Sequence, residues 1–186
     1  MTRHEIEQQT VDIIDISFNG RILDIGGGGE GIISRHSGDK VVAIDAREDE
    51  LKETPDIGLK IIMDACDLKF LDNSFENISC FFSLMYMNEN QVIAFLKEAK
   101  RVLKNNGKLW IWDVTIPSKK SADVIIAQLK IKISTDEIIT TGYGVQWVKS
   151  QSLESVRKLC VDEGFCVESE DLSNQTFFLC LQLNHY

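Results

Sequence analysis

The chain has 186 residues, of which 44% are hydrophobic and 26% charged, a balance typical of a globular protein and not of a disordered one. The formal net charge of −9 opposes the phosphate backbone of nucleic acids, so nucleic acid is not expected as a partner. No apolar run approaches the length of a membrane span, and the first residues lack the pattern of a secretion signal. We therefore expect one domain over residues 1–186, in the cytoplasm and without a membrane partner.

The cysteines give no sign of a cross-linked or metal-bound framework. They are odd in number and show no C-x-x-C spacing, which argues against both a disulfide set and a zinc site. The five are Cys66, Cys80, Cys160, Cys166 and Cys180. The pattern predicts reduced, mostly packed thiols and no bound metal.

A short amphipathic helix is predicted at the start of the chain, over residues 3–17. Its apolar face would be formed by Ile6, Thr10, Ile13 and Ile14. After it, the runs RILDI (21–25) and KVVAID (40–45) are typical of buried strands. A glycine-rich loop and a short helix over 30–37 separate them, which predicts one strand–helix–strand unit.

Three further apolar runs predict strands that are covered on both faces. They are LKIIMDA (59–65), ISCFFSLMYM (78–87) and KLWIWDV (108–114). Between the last two, residues 88–107 repeat apolar residues at helical spacing and end in Gly107, which predicts a long helix. Strands that alternate with helices indicate a parallel, doubly wound sheet with helices on both sides.

The last third of the chain predicts two antiparallel hairpins. A helix over 152–164 precedes the strands FCVESEDL and TFFLCLQL, which are joined by a turn too short for a parallel crossover. Earlier, residues 123–147 contain two alternating apolar runs around STDE. This segment predicts a hairpin insert after the fifth strand, which either covers a substrate or forms a dimer contact or sheet edge.

The loop after the first strand of the sheet places five glycines in the six positions 26–31. Such loops let a ligand contact bare backbone at the carboxyl end of a strand. Gly26, Gly28 and Gly31 satisfy the dinucleotide pattern G-x-G-x-x-G, and Asp45 follows Gly28 by 17 residues, near the spacing of a ribose-binding acid. Spacing alone leaves a nicotinamide or flavin site open. Asp24 argues against it, because a carboxylate repels a pyrophosphate and favours a ligand with ammonium and sulfonium groups.

Four ordered segments carry a resemblance to a known family: LDIGGGG, VVAID, MDACDLKFLDNSFE and AKRVLKNNGKLWIWDV. In order and spacing, residues 20–116 resemble the class I S-adenosylmethionine-dependent methyltransferases, with a methyltransferase type 11-like domain. The resemblance implies a three-layer, Rossmann-like, mostly parallel seven-stranded sheet whose last strand is antiparallel. It also implies S-adenosylmethionine as the cofactor and methyl transfer as the activity, with a small-molecule acceptor.

The resemblance assigns the cofactor-binding residues by position. Asp24 and the glycines match the segment that contacts the methionine moiety, Asp45 the acid that binds the ribose hydroxyls, and Asp64 the acid beside adenine. Carboxylates suit both hydroxyl and amine donors. The full set is Asp24, Gly26, Gly27, Gly28, Asp45, Ala46, Asp64, Ala65, Ser83 and Leu84.

One residue departs from the family pattern. Glu30 stands where the third loop glycine is usual, and Gly31 follows one place later. The path of the loop around the cofactor is therefore open at this point. We expect Glu30 to stabilise the N-terminus of its helix rather than to take part in chemistry.

No catalytic base is evident. The histidines, His4, His36 and His185, lie away from the predicted strand ends. The polar residues expected near the acceptor are Tyr86, Asn88, Asp113 and Tyr143, each of which could equally pack or cap an element. Two alternatives to a methyltransferase stay open, namely a non-catalytic S-adenosylmethionine-binding module and a nicotinamide-dependent oxidoreductase. A monomer and a homodimer are both compatible with the sequence.

Overall fold

The computed structural model describes residues 1–118 and 120–183, so His185 lies outside the described residues. The strands are β1 Arg3–Asp12, β2 Ile22–Ile25, β3 Val41–Asp45, β4 Leu59–Ile62, β5 Phe75–Phe81, β6 Leu103–Val114, β7 Val124–Lys132, β8 Ile138–Gln146, β9 Phe165–Ser173 and β10 Thr176–Leu183. The helices are α1 Ile32–Ser37, α2 Glu48–Glu53, α3 Glu89–Val102 and α4 Leu153–Asp162. Short 3₁₀ turns lie at Gly38–Lys40 and Leu84–Tyr86.

Seven strands form the main sheet in the order β4-β3-β2-β5-β6-β10-β9. The first five are parallel, β10 runs antiparallel to β6, and β9 pairs antiparallel with β10. The predicted mostly parallel sheet with a closing antiparallel hairpin is confirmed. Strand β2 lies in the middle of the five parallel strands, between β3 and β5. Because these three strands run in the same direction, the loops that follow them meet at one edge of the sheet.

Helices α3 and α4 cover one face of the main sheet. Helix α3 begins with a capping box between Asn88 and Gln91, and its apolar stripe is buried against the sheet. The stripe consists of Val92, Phe95, Leu96, Ala99 and Val102. The helix ends at Val102 and not near Gly107, because the buried Leu103 already pairs with Phe75 as the first residue of β6.

The predicted helix over residues 3–17 is wrong, because residues 3–12 form the strand β1. It pairs in parallel with β7, and the small sheet has the order β1-β7-β8. A register shift between Ile6 and Gln9 interrupts the alternation of buried residues, which resumes at Val11 and Ile13. Because of this shift, the apolar residues of the sequence are spaced as in a helix. The backbone hydrogen bonds with the edge of β7 nevertheless stabilise a strand.

The second face of the main sheet is therefore covered by α1 together with a sheet, not by helices alone. The insert is a hairpin, as predicted: β7 and β8 pair antiparallel along their full length. Its inner residues share one hydrophobic core with Phe81, Phe82 and Trp112 of the main sheet. The buried residues of β7 and its end are Ile125, Ala127, Leu129, Ile131 and Ile133.

Two further expectations can be compared with the described residues. All five cysteines are free thiols, and Cys80, Cys160 and Cys180 are buried, as expected for packed residues. Within residues 1–118 and 120–183, no helix is long and apolar enough to span a membrane.

A pair of substitutions on β7 tests whether the insert belongs to the core. Ile131 is fully buried, whereas its neighbour Lys130 is only partly so. We expect Ile131→Ala to lower the free energy of unfolding by about 2 to 4 kcal/mol, the usual cost of a core truncation. Lys130→Ala is the matched control and should change it by less than about 0.5 kcal/mol.

Urea denaturation followed by circular dichroism, with light scattering on the same samples, provides the measurement. If Ile131→Ala leaves the stability unchanged but dissociates a dimer, the hairpin is an intermolecular contact and not part of the core.

Candidate cofactor site

A cavity of about 780 Å³ opens at the carboxyl ends of β2, β3, β4 and β5. Its walls are the glycine loop, the segments that follow β3, β4 and β5, helix α2, and the middle of β8. The parallel strands bring these segments together, since each ends at the same edge of the sheet. Its size lies in the range of small-molecule and cofactor sites.

The glycine loop approaches its neighbours too closely for side chains. A Cβ at Gly28 would lie 2.5 Å from Cβ of Glu50 and 2.9 Å from Oδ2 of Asp45. Gly26 has a φ of 66°, a left-handed conformation that favours glycine, and a Cβ there would collide with Ser83. The Gly27 amide donates to the Ile44 carbonyl at 3.0 Å, which holds the loop beside β3. Apart from the side chain of Glu30, the loop therefore presents backbone to the cavity.

Asp45 and Asp64 stand at the ends of β3 and β4 and line the cavity. Oδ1 of Asp45 accepts from the Arg47 amide at 2.9 Å, and Oδ1 of Asp64 accepts from the Cys66 amide at 2.8 Å. These backbone contacts fix the orientation of both carboxylates. Ala46 and Ala65 line the cavity beside them. Two oriented carboxylates suit a ligand that offers hydroxyl or amine donors.

Asp24 lies beneath the glycine loop and not on the cavity wall. It is 2% exposed, and the Ser79 hydroxyl donates to its Oδ1 at 2.7 Å. Its Oδ2 is 2.6 Å from where a Cβ of Gly27 would be, so it packs directly against the loop. Burial raises the pKa of Asp24 to about 7, although the bond from Ser79 works in the opposite direction. Asp24 can therefore influence a ligand through the loop and through its charge.

The segment after β5 forms the opposite wall and is held by polar contacts from behind. The Ser83 hydroxyl donates to the Ile25 carbonyl at 3.0 Å, which joins the ends of β5 and β2. Asp113 is fully buried and accepts from the Met85 amide at 3.1 Å. Burial raises the pKa of Asp113 to about 6, and its hydrogen bonds and the nearby Lys149 oppose that shift.

Lys149 completes this support. Its Nζ donates to the carbonyls of Leu84 at 2.6 Å and Met87 at 2.5 Å, and to Oε1 of Gln151 at 3.1 Å. Gln151 in turn donates to Asp113 at 2.9 Å. Sequence reasoning did not identify Lys149 or Gln151, because both follow the insert and no motif marks them. Partial burial lowers the pKa of Lys149, and the Asp113 carboxylate opposes that shift.

Aromatic residues form the part of the wall nearest the insert. Tyr143 of β8 lies against Phe82, with ring centroids 5.7 Å apart, and Tyr86 lines the cavity while about half exposed. Partial burial and the carboxylates of Asp113 and Glu50 raise the pKa of Tyr86 to about 12. Burial and Glu30 raise the pKa of Tyr143 further. Both phenols therefore keep their protons at neutral pH.

Glu30 does not stabilise the N-terminus of α1 as expected from the sequence. Gly31 is the N-cap, and no acidic residue lies in the first turn. The Glu30 side chain instead accepts hydrogen bonds from the hydroxyls of Tyr143, at 2.9 Å, and of Thr141. The reason is tertiary: β8 brings two hydroxyl donors to the loop, which no local pattern reveals.

The predicted residues thus separate into two groups. The described residues that line the cavity include Gly26, Gly28, Asp45, Ala46, Asp64, Ala65, Ser83, Tyr86 and Tyr143. Those outside its wall are Asp24, Gly27, Leu84, Asn88 and Asp113. Asn88 caps α3, where its side chain accepts from the Gln91 amide at 3.0 Å. Leu84, Asn88 and Asp113 do not line the cavity but support the segments that do.

The cavity is strongly acidic. Its lining contains the carboxylates of Glu30, Asp45, Glu50, Glu53 and Asp64. Among the described lining residues, only Arg47 is basic. Such a lining favours a cationic ligand and opposes a pyrophosphate. Over the described part of the chain, no group of three or more His, Cys, Asp or Glu side chains is arranged to hold a metal ion.

The buried Asp24 makes stability depend on pH in a direction that can be tested. A pKa of about 7 in place of the usual 3.8 means that the folded protein retains a proton that the unfolded chain releases. This group therefore lowers the free energy of unfolding as pH rises from about 4 to about 7, and the loss is complete above that. Asp24→Asn cannot titrate, and its amide oxygen can still accept from Ser79.

We expect the stability difference, Asp24→Asn minus wild type, to increase by about 2 to 3 kcal/mol between about pH 5 and about pH 8. Urea denaturation of the ligand-free proteins at several pH values measures it, with the exposed Asp39→Asn as control. A difference that is flat across this range would show that Asp24 is ionised in the folded protein throughout.

Comparisons with known proteins agree with this geometry. Residues 23–111 match a family model described as a methyltransferase domain, and this segment includes the glycine loop, Asp45 and Asp64. No match was found among curated protein sequences. Structural similarity extends over most of the chain, as the following three solved structures show.

An S-adenosylmethionine-dependent methyltransferase from Methanosarcina mazei is 18% identical, with a TM-score of 0.66 over 91% of this chain and 95% of that one. One from Aquifex aeolicus is 19% identical, with a TM-score of 0.64 over 89% and 82%. The glycopeptide N-methyltransferase MtfA, solved in complex with S-adenosylmethionine, is 10% identical, with a TM-score of 0.60 over 90% and 88%. At these identities the likeness establishes a shared fold. The family match and the fold together confirm the resemblance of this chain to the class I S-adenosylmethionine-dependent methyltransferases.

Proposed function

We propose that the protein binds S-adenosylmethionine in the acidic cavity and catalyses methyl transfer to a small-molecule acceptor. One observation carries the proposal: the glycine loop, Asp45 and Asp64 line a single cavity at the carboxyl ends of consecutive strands. When bound, the cofactor supplies a methyl group already activated on a sulfonium. The family match supports this cofactor.

The residues of the cavity fit the parts of this cofactor. The bare backbone of Gly26 and Gly28 would hold the methionine moiety. Asp45 would accept from the ribose hydroxyls, and Asp64 with Ala65 would lie beside adenine. Ser83, whose side chain is turned toward the Ile25 carbonyl, would close the methionine side. Leu84, Gly27 and Asp24 would act from behind this wall.

Charge separates this cofactor from a nicotinamide dinucleotide. A pyrophosphate would bring negative charge next to the five carboxylates of the lining. The sulfonium and ammonium groups of S-adenosylmethionine are attracted by the same carboxylates. The oxidoreductase alternative is therefore disfavoured by electrostatics, although the glycine spacing permits it.

The chain's own contribution is to align an acceptor and to exclude water. Phe82, Tyr86 and Tyr143 form an aromatic wall between the loop and the insert, and such a wall displaces water from the reacting groups. Both tyrosines keep their protons at neutral pH, so they would orient an acceptor by donating hydrogen bonds. Neither serves as a general base under these conditions.

One alternative is a non-catalytic module that binds S-adenosylmethionine. The same lining would hold the cofactor whether or not an acceptor is methylated. Binding experiments cannot separate the two functions, so turnover must be measured directly.

Calorimetry with S-adenosylmethionine, S-adenosylhomocysteine and NADH, followed by a methyl-label transfer assay on metabolite extracts, tests the proposal. We expect both sulfur compounds to bind, NADH to give no heat, and label to enter an acceptor. Tight NADH binding with no response to the sulfur compounds would overturn the methyltransferase assignment. Binding without label transfer would favour the non-catalytic module.

Asp45→Ala provides a test of the ribose assignment. We expect it to weaken S-adenosylhomocysteine binding by about 1 to 3 kcal/mol, the range for hydrogen bonds to a charged group. Its melting temperature should stay near that of the wild type, because Asp45 is only partly buried. Asp39→Ala, at an exposed position outside the cavity, is the control and should bind as the wild type does. Unchanged affinity with a collapsed melting temperature would make Asp45 a structural residue.

A further inference from the structure

Glu30 is the only residue with a side chain between Gly26 and Gly31. Gly29 and Gly31 on either side of it both have a φ of 60°, in the left-handed region. A loop of this composition has few ways to be held from outside. Its backbone is fixed by the amides of Gly27 and Gly29, which donate to Ile44 and Glu50 at 3.0 and 2.9 Å. The Thr54 hydroxyl also donates to the Gly27 carbonyl at 3.3 Å. Beyond these backbone contacts, the side chain and the carbonyl of Glu30 attach the loop to other segments.

Both of these groups connect to the insert. The carboxylate accepts from the hydroxyls of Tyr143 and Thr141 on β8. The Glu30 carbonyl accepts from Nε of Arg35 at 2.7 Å, and the same guanidinium pairs with Glu137, at the start of the hairpin's second half, at 3.0 Å. Two independent contacts therefore link one loop residue to β8 and the turn before it.

The contact continues around the cavity. Tyr143 lies against Phe82, and Phe82 has a φ of 51°, which is strained for a bulky residue. Phe82 directly precedes Ser83, whose hydroxyl returns to the end of β2 at Ile25. Glu30, Tyr143, Phe82 and Ser83 thus form a ring that the backbone from Ile25 to Glu30 closes. It includes both the loop and the wall nearest the insert.

We propose that Glu30 is a positioning residue that couples the glycine loop to the hairpin insert, so that cofactor binding orders the wall that faces the acceptor. The inference rests on the proposed function for the identity of the ligand. Because Tyr143 stays protonated, its bond to the carboxylate persists at neutral pH. Coupling is reciprocal. A ligand that orders the loop must therefore also stabilise β8, and a change that destabilises β8 must lower the affinity for the ligand.

Hydrogen exchange of residues 138–146, with and without S-adenosylhomocysteine, tests the coupling in the wild type and in Glu30→Ala. We expect the ligand to slow exchange in this segment in the wild type, and to do so little or not at all in the variant. Glu30→Ala should also raise the Kd for S-adenosylhomocysteine by about three- to tenfold, the effect of losing one or two hydrogen bonds. The Kd for adenosine, which lacks the amino-acid moiety, should change by less than about twofold.

Two sets of variants separate positioning from other effects. Glu53 lines the same cavity and has no hydrogen bond to the insert among the described residues, so Glu53→Ala reports the effect of charge alone. In this variant, the ligand should slow hydrogen exchange over 138–146 as it does in the wild type. Tyr143→Phe keeps the charge and removes one donor. Like Glu30→Ala, it should raise the Kd for S-adenosylhomocysteine. The two effects should not add in the double variant. Glu30→Gln retains acceptor oxygen and should restore part of the loss.

The inference is overturned if Glu30→Ala responds to the ligand over 138–146 as the wild type does, or if its Kd matches that of Glu53→Ala. If Glu30→Ala fails to fold, Tyr143→Phe and Glu30→Gln decide the question by the same readouts. If the wild type does not bind S-adenosylhomocysteine at all, the proposed function fails. The coupling would still be tested then, because ligand-free Glu30→Ala should exchange faster than the wild type over both 26–31 and 138–146.

Discussion

The close approach of the backbone at residues 26–31 is the constraint on which the rest of the site depends. A side chain at Gly28 would meet Asp45 and Glu50, and one at Gly26 would meet Ser83. Because these positions carry no Cβ, the ends of β2, β3 and β5 converge closely enough to enclose one cavity. Asp45 at the end of β3 and Asp64 after β4 then line the same cavity, although they are far apart in the sequence.

Buried polar groups, and not apolar packing alone, set the positions of the walls. Asp24 beneath the loop is bonded to Ser79, and Asp113 behind the segment after β5 is bonded to the Met85 amide and to Gln151. Desolvation opposes the ionisation of both carboxylates, which is why their pKa values are raised. Hydrogen bonds are directional, so groups held in this way specify one geometry, and a change of partner is costly.

The small sheet covers much of the second face of the main sheet. Strands β1, β7 and β8 cover that face together with helix α1 and share its hydrophobic core. A strand at the edge of such a sheet can place side chains directly against the glycine loop. Tyr143 and Thr141 contact Glu30 in this way, so the insert becomes part of the cavity and of the core at once.

Local pattern in the sequence determined the elements of the main sheet and the residues at its strand ends. Apolar runs such as RILDI and KVVAID must be buried, and glycines in a row can only form a loop, so the position of the cavity followed from the order of elements. The spacing from Gly28 indicated Asp45, and the resemblance to the class I methyltransferases indicated Asp64. The local pattern also indicated the insert's hairpin, whose alternation is regular.

Only the tertiary structure decided what depends on contacts between distant segments. Residues 3–12 became a strand because the edge of β7 offers hydrogen bonds, and a register shift near Ile6 had hidden the alternation. Glu30 turned to β8 because two hydroxyls lie there, and Lys149 reached the segment after β5 because the chain returns past it. Asp24 was displaced from the cavity wall to a buried site by the packing of the loop above it. In each case the contact partner lies far away in the sequence, so no local pattern of residues can indicate it. The contacts that stabilise the observed conformation form only when the chain is folded.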